Sequence, residues 1–239
     1  MVRSSSLAVL ALHVLGCGPA DDAGATDGGS TAAPPPAVAS GGVERAPDGE
    51  RAASDPDGRR GPRVVFMGTS LTAGLGLSDP DDRFTDRLQA LADSAGVPAR
   101  MINLGVSGET SAGGLRRLAW ALADTVDVLV LELGANDGLR GQDPDALEAN
   151  LRAIVDSTRA RWPGAVVILA GMEAPPNLGE RYTRRFREVF ARVAREEDTV
   201  LIPFLLEGVA GEADLNQDDR IHPNVEGHRR IARTVWPVL

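Results

Sequence analysis

Ser70 closes the segment Val64-Val65-Phe66-Met67-Gly68-Thr69-Ser70, where an apolar, β-branched run stops abruptly at Gly-Thr-Ser. A serine just past the C-terminal end of a buried strand sits where open α/β sheets place their ligands. It would also lie near a helix start, where backbone N–H groups gather and can hold an anion. Read by itself, the tripeptide is better explained as a turn with a helix cap, a task Ser and Thr often perform. Three further loops change that balance: Asn103 to Ser111, Glu132 to Gly138, and Asp218 to Pro223. Each carries a polar residue type that acyl transfer needs. The last contains Asp-x-x-His, a spacing that sets a carboxylate and an imidazole on one turn, and by spacing alone either Asp218 or Asp219 could serve.

These loops must be positioned by regular elements. Five apolar runs recur, at Val64–Met67, Arg100–Asn103, Val128–Glu132, Val166–Ala170 and Val200–Pro203. Such continuous runs suit strands covered on both faces. Between them, Phe84 to Ala95, Ser111 to Ala123, Pro144 to Trp162, Arg181 to Arg195 and Asn224 to Val238 carry apolar residues at helical spacing. Strand–helix alternation predicts a three-layer α/β/α domain around a five-stranded parallel sheet with right-handed crossovers. In a parallel sheet the strand ends share one edge, so loops distant in sequence converge there. His228 falls on an apolar-spaced helix position and reads as a packed or partly exposed helix residue. Trp120, Trp162 and Trp236 read as core or helix-end packing rather than a ligand platform.

The predicted domain occupies residues 63–239 of a 239-residue chain. Before it, residues 1–16 hold one Arg and the apolar stretch Leu7 to Leu15, the layout of a secretory signal too short to span a bilayer. The sole cysteine, Cys17, follows a small residue there, which resembles the bacterial lipobox, whose cysteine is lipidated. An ordinary signal peptide with a chance cysteine is the alternative. Residues 17–62 are rich in Gly, Ala, Pro, Ser and Asp and read as a flexible tether. The expected location is the bacterial cell envelope, with membrane attachment only through the lipid anchor. One thiol excludes an internal disulfide and a cysteine metal cluster. A net charge of -9 argues against nucleic acid as a partner. All 25 Lys+Arg residues are arginine, which removes Schiff-base and Ser–Lys schemes. No metal or other cofactor is expected, and the domain is read as a monomer.

The blocks Leu131-Glu132-Leu133-Gly134-Ala135-Asn136-Asp137-Gly138-Leu139-Arg140-Gly141 and Gln217-Asp218-Asp219-Arg220-Ile221-His222-Pro223-Asn224, together with Gly-Thr-Ser, resemble those of the GDSL or SGNH hydrolases. The likeness is to the multifunctional periplasmic thioesterase, lysophospholipase and arylesterase subgroup, and it runs from Val64 to about Ala232. It implies a flavodoxin-like SGNH fold with Ser70 as nucleophile, His222 as general base and Asp219 as the carboxylate orienting it. It also implies an oxyanion hole made of the Ser70 and Gly108 backbone N–H groups and the Asn136 amide. Leu139, Met172, Pro175 and Leu178 are expected to line an apolar acyl entrance, with Glu173 an unusual polar neighbour. The implied activity is hydrolysis of acyl esters and thioesters through an acyl-enzyme, with small-molecule or lipid substrates, lysophospholipids and aryl esters among them. A carbohydrate O-deacetylase on the same fold and a non-catalytic envelope lipoprotein stand as alternatives. One departure is plain: Thr69 stands where the family keeps Asp.

Overall fold

Strand β1 (Arg63–Gly68) forms where Val64 to Met67 provide side chains that can be buried on both faces, and all four are. The structure, a computed structural model, describes residues 61–239. The expected signal segment, the lipidation of Cys17 and the tether as far as residue 60 lie outside the described residues. Four more strands join β1 in parallel: β2 (Arg100–Gly105), β3 (Val128–Glu132), β4 (Val166–Ala170) and β5 (Val200–Ile202). Their order is β2-β1-β3-β4-β5. The register pairs Gly68 with both Gly105 and Glu132, so the first three strands end at one level. In this order the chain reverses direction across the sheet between β1 and β3, which opens a crevice beyond their carboxyl ends.

Among the described residues seven α-helices surround the sheet: α1 (Ser70–Ala73), α2 (Phe84–Ala95), α3 (Ser111–Ala121), α4 (Ala135–Leu139), α5 (Pro144–Arg161), α6 (Glu180–Glu196) and α7 (Val225–Val235). Helix α2 packs on α7, while α3, α5 and α6 pack in succession, giving the two outer layers. The long helices begin and end within two residues of the expected bounds except the last. There Trp236–Val238 tighten into a 3-10 turn once Pro237 removes a backbone donor. Helix α4 lasts only five residues, in keeping with Asp137-Gly138, a pair that favours turns. The three tryptophans divide. Trp162 donates its indole N–H to the Leu122 carbonyl at 3.2 Å and Trp236 packs against the core, whereas Trp120 is 63% exposed and does not pack as expected. Helix α3 touches its neighbours through small residues such as Gly114, and position 120 falls on its solvent side.

His228, on α7, is fully buried and serves α2. Arg83 precedes α2 without a side-chain cap, and the first helical N–H, that of Phe84, donates to His228 Nδ1 at 3.2 Å. Burial first, then the positive charge of Arg87, holds His228 down at about 4, so the ring is neutral and can accept that bond.

Candidate active site

The β1 strand ends in Gly68 because nothing larger fits. A Cβ there would lie 2.1 Å from Thr72 Oγ1 and 2.5 Å from Glu132 Oε2. The chain then turns into the four-residue helix α1, with Ser70 in its first position. Neither hydroxyl of Thr69-Ser70 caps this helix, contrary to the simplest reading of the sequence. Glu132, at the end of β3, supplies the acceptor instead. Its Oε2 accepts from the backbone N–H of Thr69 (2.7 Å) and of Thr72 (3.3 Å) and from the Thr72 hydroxyl (2.8 Å), while Oε1 accepts from the Thr69 hydroxyl (2.9 Å). Thr69, standing where an Asp was expected, is thus a donor to a buried acid. Glu132 is 1% exposed. Burial pushes its carboxyl up to about 7, against the pull of these donors.

The Ser70 hydroxyl points outward. His222 Nε2 lies 3.0 Å from Ser70 Oγ, and His222 Nδ1 lies 2.6 Å from Asp219 Oδ2. An ionised carboxylate can only accept, so the Nδ1 proton faces Asp219 and Nε2 is left to accept from Ser70. Asp219 also accepts the backbone N–H groups of Ile221 (2.9 Å) and His222 (3.0 Å) through Oδ1. The His222 ring bond first, then these backbone donors, holds its carboxyl down at about 2. Arg220, between them, has φ 57°, a left-handed conformation that folds Asp219 back onto the following residues. Asp218, which spacing left equivalent, makes none of these bonds to His222.

Gly108 follows β2 with φ 79°, which glycine adopts without strain. Its carbonyl accepts from Arg140 at 2.9 Å. Asn136, at the start of α4, donates one amide hydrogen to the Glu109 carbonyl at 3.0 Å, leaving the other unused by that bond. Glu109 is itself clamped by Arg117, whose Nε lies 2.8 Å from both carboxylate oxygens and whose Nη2 also reaches the Leu104 carbonyl. The donor loop after β2 is therefore tied both to α3 and to α4. Asp137 adds a further tie, accepting the Ser111 N–H (2.9 Å) and hydroxyl (2.6 Å) at the start of α3.

Ser70, Gly108, Asn136 and His222 all line one cavity of about 700 Å³. Of the four expected acyl-contact residues, Leu139, Met172 and Pro175 line it and Leu178 does not. Leu178 ends the 3-10 turn Pro176–Leu178, with Cδ2 3.7 Å from where a Cβ on Gly141 would be. The wall has residues that sequence reasoning missed, Leu75, Phe204, Leu206 and Ile221 among them. Phe204 and Leu206 follow the short strand β5, and nothing in their local pattern separates them from core positions. The Glu173 carboxylate, polar among apolar neighbours, pairs with Arg187 Nε of α6 at 2.8 Å, at the cavity rim. Among the described residues no group of three or more His, Cys, Asp or Glu is placed to hold a metal ion.

Comparison with known proteins gives a consistent picture. Residues 66–230 match the profile of the GDSL-like lipase/acylhydrolase family. The chain is 43% identical over 177 residues to the esterase TesA of Pseudomonas aeruginosa, covering 74% of this chain and 87% of that one. It is 35% identical over 170 residues to thioesterase 1/protease 1/lysophospholipase L1 of Escherichia coli, covering 71% and 79%. Among solved structures, the psychrotrophic esterase EstA from Pseudoalteromonas, inhibited by monoethylphosphonate, superposes with a TM-score of 0.70 at 32% identity, covering 74% and 96%.

Proposed function

The chain belongs to the GDSL-like lipase/acylhydrolase family, and from that membership we propose that its carboxylic ester hydrolysis runs through an acyl-enzyme on Ser70. The observation that carries this is the chain of contacts from Ser70 Oγ to His222 Nε2 (3.0 Å) and from His222 Nδ1 to Asp219 (2.6 Å) at an apolar cavity. Ser70 Oγ attacks the substrate carbonyl carbon as His222 Nε2 takes its proton. Asp219, held at about 2, stays ionised and stabilises the resulting imidazolium. The Ser70 and Gly108 N–H groups and the free Asn136 amide hydrogen receive the oxyanion. The intermediate collapses when His222 returns the proton to the leaving alkoxide or thiolate. Water then attacks the acyl carbon, His222 takes its proton, and the acid leaves as Ser70 regains its hydrogen.

The apolar wall made by Leu139, Met172 and Pro175 supports short to medium acyl chains. The relatives named above are an esterase and a thioesterase/lysophospholipase, so neither a carbohydrate deacetylase nor a non-catalytic lipoprotein is favoured. The test is a chain-length series of p-nitrophenyl esters and acyl thioesters, with fluorophosphonate labelling. Labelling and turnover should both vanish in Ser70→Ala; full activity in that variant would refute the assignment. The sequence up to Cys17 supports export and lipidation at that cysteine. Cys17→Ser should then release the protein from membranes, and equal retention of wild type and variant would exclude the anchor.

A further inference from the structure

We propose that Glu132 is a positioning residue for the nucleophile, its carboxylate holding the turn that aims Ser70 at His222; the inference rests on the reading of Ser70 given above. Residues 69 and 72 flank the serine, and both give their backbone N–H and their hydroxyl to this one side chain. The peptide groups 68–69 and 71–72 are thereby anchored to one side chain, which restrains the short turn between them and with it the direction of the Ser70 Cβ and N–H. Within α1 the turn has only backbone bonds, from the Ala73 N–H to the Thr69 carbonyl (2.9 Å) and from the Gly74 and Leu75 N–H groups to that of Ser70. The helix has four residues, too few to sustain itself, and no side-chain cap of its own. Its far side is held by Asn103, which donates to the Thr72 carbonyl at 2.6 Å. The hydrogen bonds of the Glu132 carboxylate go to Thr69 and Thr72 and not to Ser70 or His222, so it acts on the serine through those two residues.

Four donors converging on two oxygens suit the ionised carboxylate, which offers only acceptors; a proton on either oxygen, held below about pH 7, is accommodated when one threonine hydroxyl turns to accept it. An amide at the same place would turn an N–H₂ group toward those donors. The same packing explains two local features of the sequence. Gly68 lacks a Cβ because Glu132 Oε2 and Thr72 Oγ1 fill that space. Thr at 69 suits a position whose hydroxyl must donate to an acid rather than be one.

The test compares Glu132→Gln, Thr69→Val and the double variant with wild type, using one p-nitrophenyl ester. An atomic misplacement near 1 Å costs about a hundredfold in rate. Glu132→Gln should lower kcat on that order, leave KM within about threefold, and slow fluorophosphonate labelling in parallel. Thr69→Val removes one donor without changing shape and should give a smaller fall of the same kind. The double variant should be no slower than Glu132→Gln, because both act through the same bonds. Should Glu132→Gln fail to fold, Thr69→Val and Thr72→Val carry the test. Unchanged kcat in folded variants, a loss confined to KM, or multiplicative losses in the double variant would overturn the proposal. If wild type turns over and Ser70→Ala does not, such a result leaves the catalytic reading standing and removes only this one.

Discussion

Glu132 and His228, two of the buried titratable groups, should give stability profiles of opposite slope, and removing either should expose the other. His228 falls from the ordinary 6.5 to about 4 through burial and the nearby Arg87. Below pH 6.5 the unfolded chain binds a proton that the folded one refuses. Its contribution is thus complete above 6.5 and lost as the pH falls toward 4. Glu132 rises from 4.5 to about 7 through burial. Here the folded chain keeps a proton that the unfolded chain has released, so its contribution is complete below 4.5 and lost as the pH rises toward 7. Each gap corresponds to about 3 kcal/mol at roughly 1.4 kcal/mol per pH unit. Between pH 4.5 and 6.5 the two nearly cancel. Urea unfolding at pH 7.5 and pH 4.5 reads this directly. Relative to wild type, His228→Gln should gain about 3 kcal/mol on acidification and Glu132→Gln should lose about 3 kcal/mol. With a slope near 2 kcal/mol per molar urea, each midpoint moves by over ~1 M relative to wild type. Any pH-independent cost of losing the Phe84 bond cancels in the difference. Parallel profiles for all three proteins, or shifts of the same sign, would refute the reasoning.

Other outcomes are specific. Asn136→Ala should lower kcat about a hundredfold with KM changed only a few-fold, read by steady-state ester hydrolysis, since one oxyanion donor is lost. Arg220→Gly should raise the melting temperature by a few degrees. The left-handed φ of 57° costs an arginine about 1 kcal/mol or more and a glycine nothing, less the extra freedom glycine has when unfolded. Met172→Trp should lower kcat/KM for the longest acyl chains accepted while sparing acetyl and propionyl esters, because Met172 is a buried part of the cavity wall.

The strands were legible because Val64 to Met67, Val128 to Leu131 and Val167 to Ala170 are unbroken apolar runs, which a sheet covered on both faces requires. Helix α5 was legible from Pro144 and from Leu147, Leu151, Ile154 and Val155 on one face. Ser70, Gly108, Asn136, Asp219 and His222 stood out through their loops and a family pattern, because reactive groups need particular residue types. Asp219 could not be separated from Asp218 by spacing. The left-handed turn at Arg220 makes that choice, since it brings Asp219 alone to His222 Nδ1. A strand-end Glu132 gave no sign of its role, for it became a buried acceptor only when β3 was laid against β1 in register with Gly68. His228 was placed as a helix residue by periodicity, yet its partner is 144 residues away. Leu178 and Trp120 fail in the opposite direction: their apolar character suggested contact, and the turn or helix face on which each sits directs it elsewhere. Local pattern determines which segments bury and which residue types can react, because those depend on side-chain chemistry and period. Which acid serves the histidine, what anchors the nucleophile's turn, and which apolar residues wall the cavity depend on distances between chain-remote atoms, and only the folded sheet sets those.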